Sequence, residues 1–162
     1  MFERFSQRAC RVIWRARDEA GRAGAEAIGP LHLLLGWILE DQCAPERLHP
    51  DVASGAVQWI QAEPVASRPP YLDSSRAEPL FGALVAALGE GIPKADDKEI
   101  PLSEAAVRAL GAAVGRSAGR SVEFVHVLWG ILQGQDSPAT GLLQAHGITT
   151  ETVEEWIRGK NA

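Results

Sequence analysis

Apolar residues recur along the start of the chain with helical spacing. At 100° per residue, Phe5, Ala9, Val12, Ile13, Ala16 and Ala20 fall on one stripe, which predicts an amphipathic helix over residues 6–23. Ser6 stands where an N-cap belongs, Phe5 and Cys10 have the spacing of a hydrophobic staple, and Gly21 and Gly24 loosen the end. The pattern returns at Ser103, with Leu102 and Val107 as the staple and Ala106, Leu110 and Ala113 as the stripe, predicting a helix to about Ser117. A different pattern follows each of these. Leu31, Leu33, Leu34, Leu35, Trp37, Ile38 and Leu39 leave almost no polar side, and Gly29-Pro30 opens the segment where a missing N–H costs nothing. Phe124 to Leu132 reads the same way, and a helix apolar all round is buried all round. These two segments are the expected centre of the fold.

The two halves share one order of signals. Phe5-Ser6 recurs as Leu102-Ser103 and Trp59-Ile60 as Trp156-Ile157, both at an offset of 97 (102 − 5 and 156 − 59). His32-Leu33-Leu34-Leu35-Gly36 is echoed by His126-Val127-Leu128-Trp129-Gly130, and His49 by His146. Such self-similarity marks repeated supersecondary units that share a core. In the second half a short helix from Ala139 to His146 is closed by Gly147, and a last helix opens at Thr149 or Thr150 and reaches Trp156-Ile157. In the first half Pro45 and Pro50 bracket a stub, expected to form one irregular turn at most. Residues 63 to 79, with Pro64, Pro69, Pro70 and Pro79, read as a loop, Leu80 to Leu88 as a short extra helix, and Ile92 to Glu99 as a solvated linker. The expected class is all-α: one domain over 1–162, with two pseudo-symmetric repeats of about four helices at 1–62 and 100–159, joined by 63–99.

Composition narrows the function. At 162 residues, 46% hydrophobic and 23% charged, the chain has the make-up of an ordinary globular domain. Its formal net charge of −5 argues against general nucleic-acid binding. No secretory pattern opens the chain and no apolar run is long enough to span a bilayer, so a cytoplasmic protein is expected. Cys10 and Cys43 lie in no CxxC pair and read as reduced thiols that fill space.

Four features invite chemistry. Gly115-Arg116-Ser117-Ala118-Gly119 matches the G-x-S-x-G elbow of serine hydrolases, but that motif needs a strand-to-helix turn, and here it closes a helix. A small hydrolase using Ser117 is therefore the alternative reading. The four histidines fall at repeat-equivalent places, yet no H-E-x-x-H or Cys/His cluster accompanies them, so no metal is expected. His32 and His126 are placed to satisfy loop or backbone groups, and His49 and His146 sit at helix C-termini, where the dipole favours a protonated ring. Arg4, Arg8, Arg11, Arg15 and Arg22 fall within about 60° on the first helix, either as a solvated face partly paired with Asp18 and Glu19 or as a docking row for an acidic partner. Trp14 lies about 150° from the centre of the apolar stripe, and its repeat equivalent is Gly111. Either the linker covers it, with Tyr71 and Phe81 available to do so, or it is an exposed aromatic anchor. Trp37, Trp59, Trp129 and Trp156 are expected in the core.

The repeat resembles the N-terminal domain of Clp/Hsp100 unfoldases. The match is carried by Met1-Phe2-Glu3-Arg4-Phe5-Ser6, Ala16 to Ala20, Gly29 with His32-Leu33-Leu34-Leu35-Gly36, Ile100-Pro101-Leu102-Ser103, and Leu142-Leu143-Gln144-Ala145-His146-Gly147-Ile148. It covers the chain apart from residues 63 to 98. The resemblance implies a non-catalytic docking module without a cofactor, receiving substrates, adaptors or a Clp ATPase. Gly159-Lys160 lies in no G-x-x-x-x-G-K-[ST] pattern, so a free-standing domain without the ATPase ring is expected. Some family members read phosphorylated arginine through a glutamate just before each repeat histidine. Those positions here are Leu31 and Val125, with Glu123 on another side of the helix, so that activity is not carried over. The expected partner surface comprises Phe2, Arg4, Arg8, Arg11, Trp14 and Arg15 on a monomer, with no nucleic acid and no membrane.

Overall fold

Helices begin where a side-chain oxygen can take an orphaned backbone N–H. Ser6 Oγ accepts from Ala9 N–H at 3.2 Å and Ser103 Oγ from Ala106 N–H at 3.1 Å, which start α1 (Gln7–Arg22) and α4 (Glu104–Arg116). The computed structural model describes residues 2–42, 71–89 and 99–161. A 3-10 turn, η1 (Phe2–Arg4), precedes α1, and α2 (Pro30–Asp41) follows it; α3 (Ser74–Leu88) precedes α4. The chain continues through α5 (Phe124–Leu132), α6 (Pro138–Ala145) and α7 (Thr150–Asn161). The fold is all-α, as the periodicity predicts, and among the described residues no helix is long and apolar enough to cross a membrane. Cys43, the segment from Pro45 to Pro50 with His49, and Trp59-Ile60 lie outside the described residues, as do the linker up to residue 70 and residues 90–98.

The two all-apolar helices form the middle. His32 to Asp41 of α2 are buried without interruption, and Phe124 to Leu128 of α5 likewise. α1 packs on α2, α4 packs on α5, and α2 meets α5 between them. One expectation is corrected. The stretch up to residue 79 is not all loop, because α3 starts at Ser74 rather than at Leu80. Asp73 Oδ1 accepts from Arg76 N–H at 3.1 Å, and Ala77, Leu80 and Leu84 bury one stripe of the helix. Pro79 sits inside the helix at an exposed position, so burial of that stripe outweighs one missing backbone bond.

Short backbone pairings join the halves. Ser6 N–H donates to the Val122 carbonyl at 2.9 Å and Val122 N–H to the Arg4 carbonyl at 2.7 Å. Ser103 N–H donates to the Ile28 carbonyl at 3.0 Å and Ile28 N–H to the Pro101 carbonyl at 2.8 Å. The offsets convert one set into the other: Ser6 corresponds to Ser103, Arg4 to Pro101 and Val122 to Ile28. Such reciprocal exchange is consistent with a two-fold relation between repeats.

The tightest constraint lies at the α1–α2 and α4–α5 crossings. A Cβ on Gly36 would run into the Val12 carbonyl oxygen and lie 2.9 Å from the Ala16 nitrogen. A Cβ on Gly130 would run into the Ala109 carbonyl oxygen and lie 3.1 Å from the Ala113 nitrogen. Val12 and Ala16 are the counterparts of Ala109 and Ala113 at the offset of 97. Glycine lets the two backbones touch, and no other residue can. Gly36→Ala and Gly130→Ala should each destabilise by about 2–3 kcal/mol through overpacking, read from urea midpoints. Gly111→Ala meets nothing within 4 Å in a helix and should stabilise by about 0.5–1 kcal/mol.

Candidate functional site

Three arginines of the row, Arg8, Arg11 and Arg15, turn inward to Glu40. Arg11 donates to Glu40 Oε1 from Nε at 2.8 Å and from its terminal nitrogen at 2.6 Å. Arg8 Nε donates to the same oxygen at 3.3 Å, and Arg15 Nε to Oε2 at 3.2 Å. Arg11 and Glu40 are each 1% exposed, and Arg15 is buried with them. Arg4 reaches across to the other half, donating to the Arg120 carbonyl at 3.1 Å and approaching Ser117 Oγ at 3.5 Å. Arg22 pairs with Asp18 at 3.0 Å. Arg11 and Arg15 are therefore buried away from any partner surface, while Arg4 is exposed and Arg8 and Arg22 are half-buried. The reason is that Glu40, in the last turn of α2, faces α1 on the arginine side, and a carboxylate forked by guanidiniums can be buried only with them.

Aromatic rings fill the space beside this cluster. Trp37 stacks on Phe124 with centroids 4.5 Å apart, and its Nε1 donates to the Phe124 carbonyl at 3.0 Å. Tyr71 packs against Trp156 at 4.9 Å and Phe124 at 5.7 Å, and the Arg8 guanidinium lies 4.0 Å from the Phe124 centroid. Tyr71 is thus half-buried against these rings. Trp14 is 40% exposed, with the Arg17 guanidinium 5.8 Å from its ring. Phe2 is similarly exposed and packs edge-on to Phe5 at 5.3 Å. Trp37 is core, Trp129 and Trp156 are partly buried against it, and Trp59 lies outside the described residues.

Ser117 is the C-cap of α4 and is buried, with its hydroxyl donating to the Val114 carbonyl at 2.7 Å. It lacks the strand-to-helix turn that exposes a nucleophile in the elbow motif. The histidines act on the backbone. His32 Nδ1 accepts from Gly29 N–H at 3.0 Å and His126 Nδ1 from Glu123 N–H at 2.9 Å, each tying down the start of a buried helix. The ring of His146, the C-cap of α6, donates from Nδ1 to the Leu142 carbonyl at 2.9 Å. Among the described residues no group of histidine, cysteine and acidic side chains is placed to hold a metal ion. Burial pushes the Cys10 thiol up, which keeps it protonated. Leu31 is half-buried and Val125 is buried.

Glu40 and Asp41 are the residues that sequence reasoning missed. Asp41 accepts from Tyr71 N–H at 2.8 Å and Leu72 N–H at 3.1 Å, and burial raises its carboxyl above the ordinary range. The available signal was two acids ending an otherwise apolar helix, opposite an arginine row that needed a counterion. Glu40→Ala should cost about 3–5 kcal/mol in chemical denaturation, since it removes the buried carboxylate that Arg8, Arg11 and Arg15 share.

The His32 cap gives a pH dependence. Burial lowers its pKa from 6.5, against an upward pull from Glu19. Its contribution to stability is complete above about pH 6.5 and is lost as pH falls through the depressed value, because a protonated ring cannot accept the Gly29 N–H. Asp41 has the opposite sign, its contribution being lost as pH rises through its raised value. His32→Gln keeps an acceptor and removes the titration, so the loss of melting temperature between about pH 7.5 and about pH 5.5 should shrink in that variant.

No protein-family model matches the chain. It is 29% identical over 160 residues to the chloroplastic chaperone protein ClpD2 of Oryza sativa subsp. japonica, an alignment that takes in 94% of this chain and 15% of the rice protein. The chain therefore spans a small part of that relative's length. Among solved structures, the N-terminal domain of the caseinolytic protease-associated chaperone ClpD from Arabidopsis thaliana superposes with a TM-score of 0.61 at 22% identity, covering 97% of this chain and 99% of that one. A chain from structural investigations of a malarial protein secretion system superposes with a TM-score of 0.66 at 15% identity, covering 97% and 94%. The chain thus has the fold of the ClpD N-terminal domain and a sequence likeness to a ClpD chaperone.

Proposed function

We propose that this domain is a non-catalytic docking module that holds a substrate, an adaptor or a Clp ATPase and so modulates ATP-dependent proteolysis. Trp14 carries the reading. Large aromatics on a helix normally reach the core or a partner, and Trp14 is left 40% exposed on α1 although α2 is packed against that helix. Its repeat counterpart is Gly111, so the fold itself does not call for a tryptophan there. Phe2 offers a second exposed ring on η1. Seven residues of helix separate Gln7 from Trp14, or about 10 Å along the axis, so the rings act as two separate anchors. Arg4 is exposed and Arg8 half-buried, while Arg11 and Arg15 are buried against Glu40 and hold α1 on α2. The ClpD kinship supports the choice of partner class, since that relative is named a chaperone.

The domain should act as a monomer, and immobilised it should retain a purified Clp ATPase or an unfolded client. Trp14→Ala and Phe2→Ala should each weaken retention by about tenfold or more, while Val107→Ala, equally exposed on α4, should leave it unchanged. Equal retention by wild type and Trp14→Ala would remove the reading.

A further inference from the structure

The mouth of the α1–α2 crossing and its counterpart at the α4–α5 crossing are built alike and filled differently. At the first, Arg8, Arg11 and Arg15 converge on Glu40, with Arg8 lying over Phe124. The repeat offsets turn Arg8 into Ala105, Arg11 into Arg108, Arg15 into Ala112, Glu40 into Gly134 and Phe124 into Pro30. Three large charged side chains are thereby cut back to two alanines and a glycine. What remains is an open groove of about 530 Å³, lined by Pro30, Ala105, Arg108 and Gly134 among others. The second half keeps the arginine of the buried pair and lacks its carboxylate.

Arg108 is placed for an external acid. Its side chain is 73% exposed, and its ion pair with Glu104 on the same helix is long, at 3.9 Å, and solvated. Asp136 also lines the groove and opposes a bare anion, so the fitting ligand brings its carboxylate on an apolar stem that packs against Ala105 and Pro138. We infer that this groove binds a glutamate side chain of a partner polypeptide, which takes against Arg108 the place that Glu40 takes against Arg11. The site is separate from the Trp14 surface, and Trp14→Ala leaves it intact.

The test is an NMR titration of the intact chain with the capped peptide acetyl-Ala-Leu-Glu-Ala-Leu-amide and its glutamine analogue. Capping removes the terminal carboxylate, so the side chain is the only acid present. The glutamate peptide should give saturable amide shifts over residues 105–109 and 130–138, at least about tenfold tighter than the glutamine peptide. Arg108→Ala should abolish that difference. Gly134→Glu supplies the acid within the chain and should block the peptide; its Cβ would meet Ser137 Cβ at 3.2 Å, a contact that a small loop shift relieves. The proposal is overturned by equal affinity for both peptides, by glutamate selectivity that survives Arg108→Ala, or by an absence of saturable shifts in the groove.

Discussion

The backbone contact that Gly36 and Gly130 allow is the constraint on which the rest of the structure depends. Helices that carry ordinary side chains at a crossing stand about 8–10 Å apart. Where a Cβ would strike the Val12 or the Ala109 carbonyl, the helix has come closer than any side chain permits. That approach fixes where α2 crosses α1 and where α5 crosses α4, and it sets which faces of the two buried helices point at each other. The small residues Ala16 and Ala113 on the opposing helices are part of the same requirement.

Everything between the two crossings follows from α2 and α5 being held back to back. Trp37 reaches over to stack on Phe124 and to bond its carbonyl, which joins the halves through one aromatic pair and one buried hydrogen bond. Tyr71 and Trp156 extend the stack, and Asp41 anchors the chain entering α3 at Tyr71 and Leu72. The reciprocal pairing of Ser6 with Val122 and of Ser103 with Ile28 braces the same junction from outside.

The two crossings differ in what fills their mouths, and that asymmetry gives the surface its character. In the first half the arginines and Glu40 seal the gap with charge, at a desolvation cost that their mutual hydrogen bonds offset. In the second half the gap stays open. The exposed ring of Trp14 belongs to the sealed half and the exposed Arg108 to the open half.

Helix positions were readable from the chain because periodicity and caps are local. Ser6 and Ser103, the Gly29-Pro30 start, and the apolar runs of α2 and α5 each act within a turn or two of themselves, and each is found where its residues predict. The start of α3 was hidden because the prolines around it outweighed the Asp73 cap. What periodicity gives is how a helix divides into faces, and it is silent on what each face meets. The arginine row looked like surface because Glu40, its partner, lies 25 residues or more along the chain and on another helix. Trp14 is 40% exposed, and Tyr71 packs on Phe124 and Trp156 instead. Those pairings exist only once glycine has set the crossings, since a side chain's burial depends on the neighbour that the tertiary arrangement brings to it.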